Sequence, residues 1–320
     1  MIPQLPKIVE DADKFTDKIL LPYSYLVGNP GKDIRAKMIR VLNYWIQASE
    51  EDCEKICEIL DLLHNASLMI DDIEDRSAIR RGKEAAHVVY GVPLTMNAAH
   101  FIYFKAIDKL LDFCDDFDVI HEFLELMKTV HFGQGAELYW RDCAKEDELP
   151  SERDYQDIIA KKTTSLALMA ISLLKYKGTN KTINLTKFVT MMGLNGQILD
   201  DLRNLTCPEL QKEKGFCEDL TEGKLSYPII HLINNKKIPN HPEKKRRVLE
   251  ILKMKTSNVS LKEEVLIILE ESGCLNYTKK RLQQFQLDII VEAAQLGPNP
   301  ELAKLIEAVK TNMVQKPAMA

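Results

Sequence analysis

Helix-breaking residues are scarce in this chain. Thirteen glycines and 13 prolines are spread over 320 positions, and nowhere do they gather into a linker or coincide with a change of composition. A chain of this length can bury a large core, so it reads as a single domain over 1–320. It reads as all-α, because what remains is rich in helix formers and strand patterning is weak throughout. Long apolar runs are missing as well. The most apolar stretch, 166–174, is too short to cross a bilayer, and residues 1–18 mix Asp, Glu and Lys without the apolar segment of a secretory signal. No long basic run occurs and the formal charge is -5, which argues against a nucleic-acid partner. The seven cysteines are odd in number and follow no framework spacing. Cys53 and Cys57 share a helix face but have no further ligands at zinc spacing. Reduced thiols in a cytoplasmic compartment are the expectation.

Against this background two acidic stretches stand out, Asp71-Asp72-Ile73-Glu74-Asp75 and Asp200-Asp201-Leu202-Arg203-Asn204. If the first is helical, Asp71 and Asp75 project from one face a turn apart, with Asp72 beside them. Carboxylates crowded in this way repel one another, and a hard divalent cation removes that cost; Mg2+ takes carboxylate oxygen, water and substrate phosphate. A solvated acidic helix end is the other reading, and Asp115-Asp116 shows how readily the dipeptide arises. Context favours a pocket. Leu62, Leu63, Leu68, Met69 and Ile70 lead into the first stretch, and Ile198 and Leu199 into the second. Arg76, Arg80 and Arg81 follow the first, and guanidinium forks match diphosphate oxygens. The two stretches read as halves of one magnesium and diphosphate site.

Residues 8–27 predict a broken helix ending at the turn Gly28-Asn29-Pro30-Gly31. Lys32 and Arg35 then fall in a first helical turn, where cations oppose the macrodipole but unpaired N–H groups suit an anion. Apolar spacing predicts a helix over 50–72, with His64 and Asn65 two turns before the acids. A lone histidine in such a run is more often a satisfied core residue than a ligand. Helices follow over 92–113 and 120–140, the second carrying His131, Gly133, Gln134 and Gly135. A glycine inside a helix costs about 1 kcal/mol relative to alanine, which hints at close packing or a nearby ligand. Ser151-Glu152 caps a helix over 155–176, where Lys161-Lys162-Thr163-Thr164 suits a phosphate better than a core. A helix over 183–205 passes through Gln197 to the second acids. A loop over 206–223 contains Lys214, and Lys224 follows it. From 229 to 314 helices alternate with breaks at Pro239, Pro242, Gly273 and Pro298, and no catalytic motif occurs.

Several motifs recur together in a known order: 30–35, Leu63-His64-Asn65-Ala66-Ser67, 71–75 with Arg80-Arg81-Gly82, Gly133-Gln134-Gly135 with Tyr139-Trp140-Arg141-Asp142, Lys162-Thr163, 197–204 and 216–224. In order and spacing they resemble the eukaryotic geranylgeranyl diphosphate synthases of the polyprenyl synthetase family, from about residue 20 to 299. The resemblance implies an all-helical bundle of the isoprenoid synthase type around a central cavity, working as a homodimer or an assembly of dimers. It implies Mg2+-dependent, head-to-tail condensation of isopentenyl diphosphate with dimethylallyl, geranyl or farnesyl diphosphate, giving the C20 diphosphate. Asp71, Asp72, Asp75, Asp200 and Asp201 match the metal carboxylates. Arg80, Lys162, Thr163, Gln197, Lys214 and Lys224 match the allylic diphosphate contacts, Lys162 being counted with the aspartates in the chemistry. Lys32, Arg35, His64 and Arg81 match the isopentenyl diphosphate contacts.

Ala66 and Ser67 are small where short-chain members place an aromatic plug, and Tyr103, Phe104 and His131 match the bulky floor of the tail pocket. The sequence departs from the family pattern at Phe132, Thr164, Ser165, Gly196, Leu199 and Leu202, which bears on turnover and product length. A shorter-chain synthase, a terpene cyclase and a catalytically weak regulatory subunit are the competing readings.

Overall fold

The computed structural model describes residues 13–29, 31, 34–208, 211 and 215–305. Among them the elements run α1 (Asp13–Ile19), α2 (Leu21–Val27), α3 (Ile34–Ile46), α4 (Glu50–Asp75), β1 (Ile79–Arg80), β2 (Lys83–Glu84), α5 (Ala86–Tyr90), α6 (Val92–Phe113) and α7 (Phe117–Asp142). A single 3-10 turn at Glu146–Glu148 precedes α8 (Glu152–Lys177), α9 (Thr186–Thr206), α10 (Glu218–Glu222), α11 (Tyr227–Asn234), α12 (His241–Lys253), α13 (Val259–Glu271) and α14 (Cys274–Leu296). The fold is all-α, as the composition predicts. It divides into two compact units, Met1–Lys32 with Glu58–Phe113, and Asp33–Cys57 with Cys114–Ala320.

In the first unit, α4 and α6 share a buried cluster of mostly small residues. Ala66 and Met69 pack with Ala98, Ala99 and Ile102, and Leu20 and Leu26 close the cluster. The expected break in the N-terminal helix falls at Leu20, and Pro22 sits in the first turn of α2, where its missing N–H costs nothing. The expected basic loop after the first acids is instead a short antiparallel hairpin, with Ile79 opposite Glu84 and Arg80 opposite Lys83. Its two tip residues, Arg81 and Gly82, have φ of 54° and 76°. A two-residue hairpin turn requires positive φ of this kind, and the dipeptide is too weak a signal to be read from the sequence.

The second unit is built on α7, α8 and α9. A Cβ on Gly133 of α7 would lie 2.8 Å from the Lys162 backbone nitrogen and 3.1 Å from the Ile158 carbonyl oxygen, so here the helices touch backbone to backbone. On the far side of α8, Gly193 of α9 leaves room for Thr164, whose Oγ1 a Cβ would meet at 2.8 Å. This corrects the reading of Thr164 as poor core material. Thr164 is buried at this helix contact, and Thr163 donates its hydroxyl to the Ile159 carbonyl at 2.8 Å, one turn back. Tyr155 and Ile159 of α8, Ile198, Leu202 and Leu205 of α9, and Tyr227, Ile229 and Ile230 of α11 form the main core, with Val248, Val265 and Leu269 from α12 and α13. The expected cap is present: Ser151 Oγ accepts from the Asp154 N–H and the Asp154 carboxylate accepts from the Ser151 N–H. Pro242 begins α12 rather than breaking a helix. The parts of the expected segments before residue 13 and after 305 lie outside the described residues.

Replacing Gly133 with alanine should push α7 and α8 apart and cost about 1–3 kcal/mol, the usual range for overpacking. Gly135→Ala, whose Cβ meets nothing within 4 Å, should instead stabilise by up to about 1 kcal/mol through helix propensity. Urea unfolding of the two variants checks the contrast, and a Gly133→Ala protein as stable as wild type would contradict the close contact.

Candidate active site

Asp71, Asp72 and Asp75 occupy the last turn of α4, where carboxylates are opposed by the negative end of the helix dipole. The hairpin returns a cation to them. Arg80 donates Nε to Asp72 Oδ1 at 2.7 Å and Nη2 to Asp71 Oδ2 at 3.1 Å, and Nη2 pairs with Asp72 as well. Asp72 is 1% exposed. Burial pushes its carboxyl above the ordinary carboxylate range while Arg80 pulls it back. Burial also works against the charge on Arg80, but the carboxylates of Asp72 and Asp71 override it and hold the guanidinium protonated. Asp71, Glu74 and Asp75 are half-buried. Tyr103 of α6 lies in their field: burial, then the charges of Glu74 and Asp71, raise its hydroxyl well above the usual phenol range.

Other expected residues of this unit can be placed. Arg81 donates Nη1 to the Asn29 carbonyl at 2.7 Å, and Asn29 returns a bond to the Arg81 carbonyl at 3.0 Å, which ties the hairpin tip to the turn after α2. His64 is half-buried on α4, and its carbonyl accepts from Ser67 Oγ at 2.8 Å. Ala66 is fully buried in the α4–α6 cluster, which Tyr103 flanks. Phe104, the next residue of α6, is 68% exposed and closes nothing within its own unit. Consecutive helical residues point about 100° apart, so Tyr103 and Phe104 do not share a wall.

In the second unit Asp200 is exposed and Asp201 is completely buried, both in the C-terminal half of α9. Four donors meet Asp201. Gln197 Nε2 at 3.0 Å and Lys224 Nζ at 2.9 Å reach Oδ1, while Tyr155 Oη at 2.6 Å and the Tyr227 N–H at 2.8 Å reach Oδ2. Lys224 Nζ is also 3.5 Å from Asp219 Oδ2. Burial alone would depress the lysine, but Asp201 and Asp219 outweigh it and keep the ammonium charged far into the alkaline range. Lys162 is held by Glu137 of α7, Nζ to Oε2 at 2.6 Å. Asn204 Oδ1 accepts from the Asp219 N–H at 3.1 Å and so fixes the first turn of α10. Arg35 is half-buried in the first turn of α3, and His131 is exposed on α7. Lys32 and Lys214 lie outside the described residues. Among those described, no three His, Cys, Asp or Glu side chains converge as a ready-made metal cage.

Sequence reasoning missed Glu137, Tyr155, Asp219 and Tyr227. Tyr155 was within reach, since it lies two turns before Lys162 on the same helix. Glu137, Asp219 and Tyr227 gain their roles only through helix packing.

The fold is all-α, and each of its two acidic stretches is met by a half-buried cation, Arg80 or Lys224. Residues 16–269 match the family profile described as Polyprenyl synthetase, and the chain belongs to that family. It is 39% identical over 302 residues to the geranylgeranyl pyrophosphate synthase of Dictyostelium discoideum, covering 94% of this chain and 96% of that protein. It is 38% identical over 294 residues to the geranylgeranyl pyrophosphate synthase of Mucor circinelloides f. lusitanicus, covering 92% and 93%. It is also 38% identical over 290 residues to a protein of Matsumurasca onukii named terpene synthase, covering 91% and 92%.

Asp201→Ala would strand a buried ammonium on Asp219 alone and should cost about 3–5 kcal/mol. Asp200→Ala, at an exposed position, should stay within about 0.5 kcal/mol of wild type. Thermal or urea unfolding separates the two, and equal losses would mean that the buried pair does not hold this part of α9.

Proposed function

We propose that this protein condenses isopentenyl diphosphate head-to-tail with an allylic diphosphate, and that its product is geranylgeranyl diphosphate. The observation that carries the reading is the 38–39% identity, over more than nine-tenths of both chains, to two proteins named for that product. The family match runs without interruption from 16 to 269, so we treat 1–320 as one polyprenyl synthetase domain with its core at about 20–299.

The carboxylates Asp71, Asp72, Asp75, Asp200 and Asp201 are the proposed Mg2+ residues, and their hard oxygen donors fit that cation. Within this set Asp72 and Asp201 are buried against Arg80 and Lys224, while the more exposed Asp71, Asp75 and Asp200 would hold the ion directly. When bound, Mg2+ neutralises the charge that develops on a departing diphosphate. Arg80, Lys162, Thr163, Gln197, Lys214 and Lys224 bind the allylic diphosphate. The ammonium groups of Lys162 and Lys224 stand in place against Glu137 and Asp201, so little reorganisation is needed as the leaving oxygens become negative. Lys32, Arg35, His64 and Arg81 anchor isopentenyl diphosphate, with Arg81 steadied by Asn29. The allylic cation must meet the alkene before water does, which is the task of the apolar walls. The released diphosphate accepts the final proton.

Product length is assigned to the α4–α6 wall. Ala66 and Ser67 are small about one turn, ~5.4 Å, before Asp71, and Tyr103 is the floor. Phe104 and His131 are exposed in the single chain, so Tyr103 carries that role. Phe104 instead joins Val92, Met96 and Leu111 in an apolar stripe along α6, 40–68% exposed, on which we propose a second copy docks to form a homodimer. None of the seven cysteines is in a disulfide, and no helix among the described residues is long and apolar enough to cross a membrane. The cytosol is the compartment we propose.

A second reading, terpene formation, has two observations in its favour. One is the relative named terpene synthase. The other is Gly196, beside Gln197, where the family pattern has an aromatic and where an added Cβ would meet nothing within 4 Å.

Incubating the purified protein with Mg2+, isopentenyl diphosphate and each short allylic diphosphate in turn should give the C20 diphosphate, fastest from farnesyl diphosphate. A hydrocarbon or alcohol made from an allylic diphosphate alone would decide for the second reading. Asp71→Ala or Asp200→Ala should nearly abolish condensation with the helical circular dichroism unchanged. Ala66→Phe should shorten the product to fifteen carbons or fewer and Tyr103→Ala should lengthen it beyond twenty, whereas Phe104→Ala should leave it alone. If none of the three alters chain length, the pocket has been placed wrongly.

A further inference from the structure

Beyond the matched motifs, Glu152, the first residue of α8, is a heavily bonded acid. Its carboxylate receives three partners from two other helices. His231 Nδ1 of α11 lies 2.7 Å from Oε1, while Tyr277 Oη of α14 at 2.8 Å and Tyr227 Oη of α11 at 3.1 Å donate to Oε2. The His231 ring stacks on Tyr277 with centroids 3.6 Å apart. Burial alone would raise the Glu152 carboxyl, but His231 and Tyr277 outweigh it and leave it below the ordinary range. Asn234 at the end of α11 donates to the Pro150 carbonyl at 3.0 Å, a second tie between α11 and the start of α8.

The cluster leads directly to the second acidic stretch. Tyr227 is held at both ends, its hydroxyl by Glu152 and its N–H by Asp201 Oδ2. The other donor to Asp201 Oδ2 is Tyr155, one turn after Glu152 on the same helix, and its ring packs on that of Tyr227 with centroids 5.4 Å apart. Both donors to that oxygen therefore take their positions from the start of α8. The opposite oxygen of Asp201 holds the Lys224 ammonium. A packed apolar cluster would stabilise this corner at least as well as a buried ionic one, since desolvation offsets most of the attraction. What the polar network adds is a single geometry.

We infer that Glu152 is a positioning residue for the allylic diphosphate: through Tyr227 it sets Asp201, and through Asp201 it sets the Lys224 ammonium. The inference rests on the proposed role of Lys224 as a diphosphate contact. Displacing a binding group by an ångström is enough to cost one to two orders of magnitude in rate, while isopentenyl diphosphate, bound by other residues, should not notice.

The test uses the purified full chain carrying Glu152→Ala, Glu152→Gln or Tyr227→Phe, the last removing only one hydroxyl and so guarding against misfolding. Circular dichroism confirms that each is folded. Glu152→Ala should lower kcat/KM for the allylic substrate about tenfold and Tyr227→Phe several-fold, with KM for isopentenyl diphosphate within about twofold of wild type. Glu152→Gln, which keeps an acceptor for the tyrosines, should recover most of the loss. Binding of inorganic diphosphate with Mg2+, followed by calorimetry, should weaken in parallel, and Glu152→Ala should add nothing in a Lys224→Ala background. Wild-type kinetics in the folded variants, equal losses on both substrates, or additive losses with Lys224→Ala would overturn the inference. If the wild type binds diphosphate in a Glu152-dependent way but condenses nothing, the proposed reaction fails while the positioning role stands.

Discussion

A charge removed from water must meet an opposite charge, and both acidic stretches are shaped by that constraint. Asp72 at 1% exposure and Asp201 at 0% sit where an unpaired carboxylate would not be tolerated. In one unit the answer is local: the chain leaves α4, makes a two-residue turn and returns Arg80 within eight residues of Asp72. In the other it is long-range. Lys224 comes from 23 residues away, with Tyr155 and the Tyr227 N–H completing the set around the carboxylate. Pairs of this kind contribute little net stability, since desolvation takes back most of what attraction supplies. Their effect is to hold cations and neighbouring acids in fixed places, which is what stabilising a departing diphosphate demands.

The same economy of space appears in the helix packing. Gly133 lets α7 lie backbone to backbone against α8, and Gly193 makes room for Thr164 on the other side. Thr164 and Ser165 are among the positions that depart from the family pattern. Gly193 of α9 faces the hydroxyls of Thr163 and Thr164. Two of the other departures fall in open positions. Phe132 is 62% exposed, with the Lys161 ammonium 5.9 Å from its ring centroid, and Gly196 faces empty space.

Helix positions were readable because apolar residues recur at helical spacing and caps such as Ser151 are local signals. The spans over 92–113 and 155–176 were placed to within a few residues of α6 and α8. The candidate carboxylates and cations were also legible, each belonging to a short contiguous motif. The hairpin at Ile79–Glu84 was not, since two-residue strands carry no periodicity. Nor was the divergence of Tyr103 and Phe104, because adjacent helical residues look equivalent in a motif and part company only when the helix is packed.

By itself, then, the sequence determined the all-α class, the helix boundaries and the inventory of acids and bases, all of which depend on residues within a few turns of one another. Only the tertiary structure decided which acid of each pair is buried, that Glu137 holds Lys162, that Asn204 caps the turn bearing Asp219, and that Glu152 reaches Asp201 through Tyr227. The reason is physical. Local propensity and periodicity act along the chain, whereas desolvation and ion pairing depend on which surfaces are pressed together, and residues 15 to 125 positions apart in sequence meet only there.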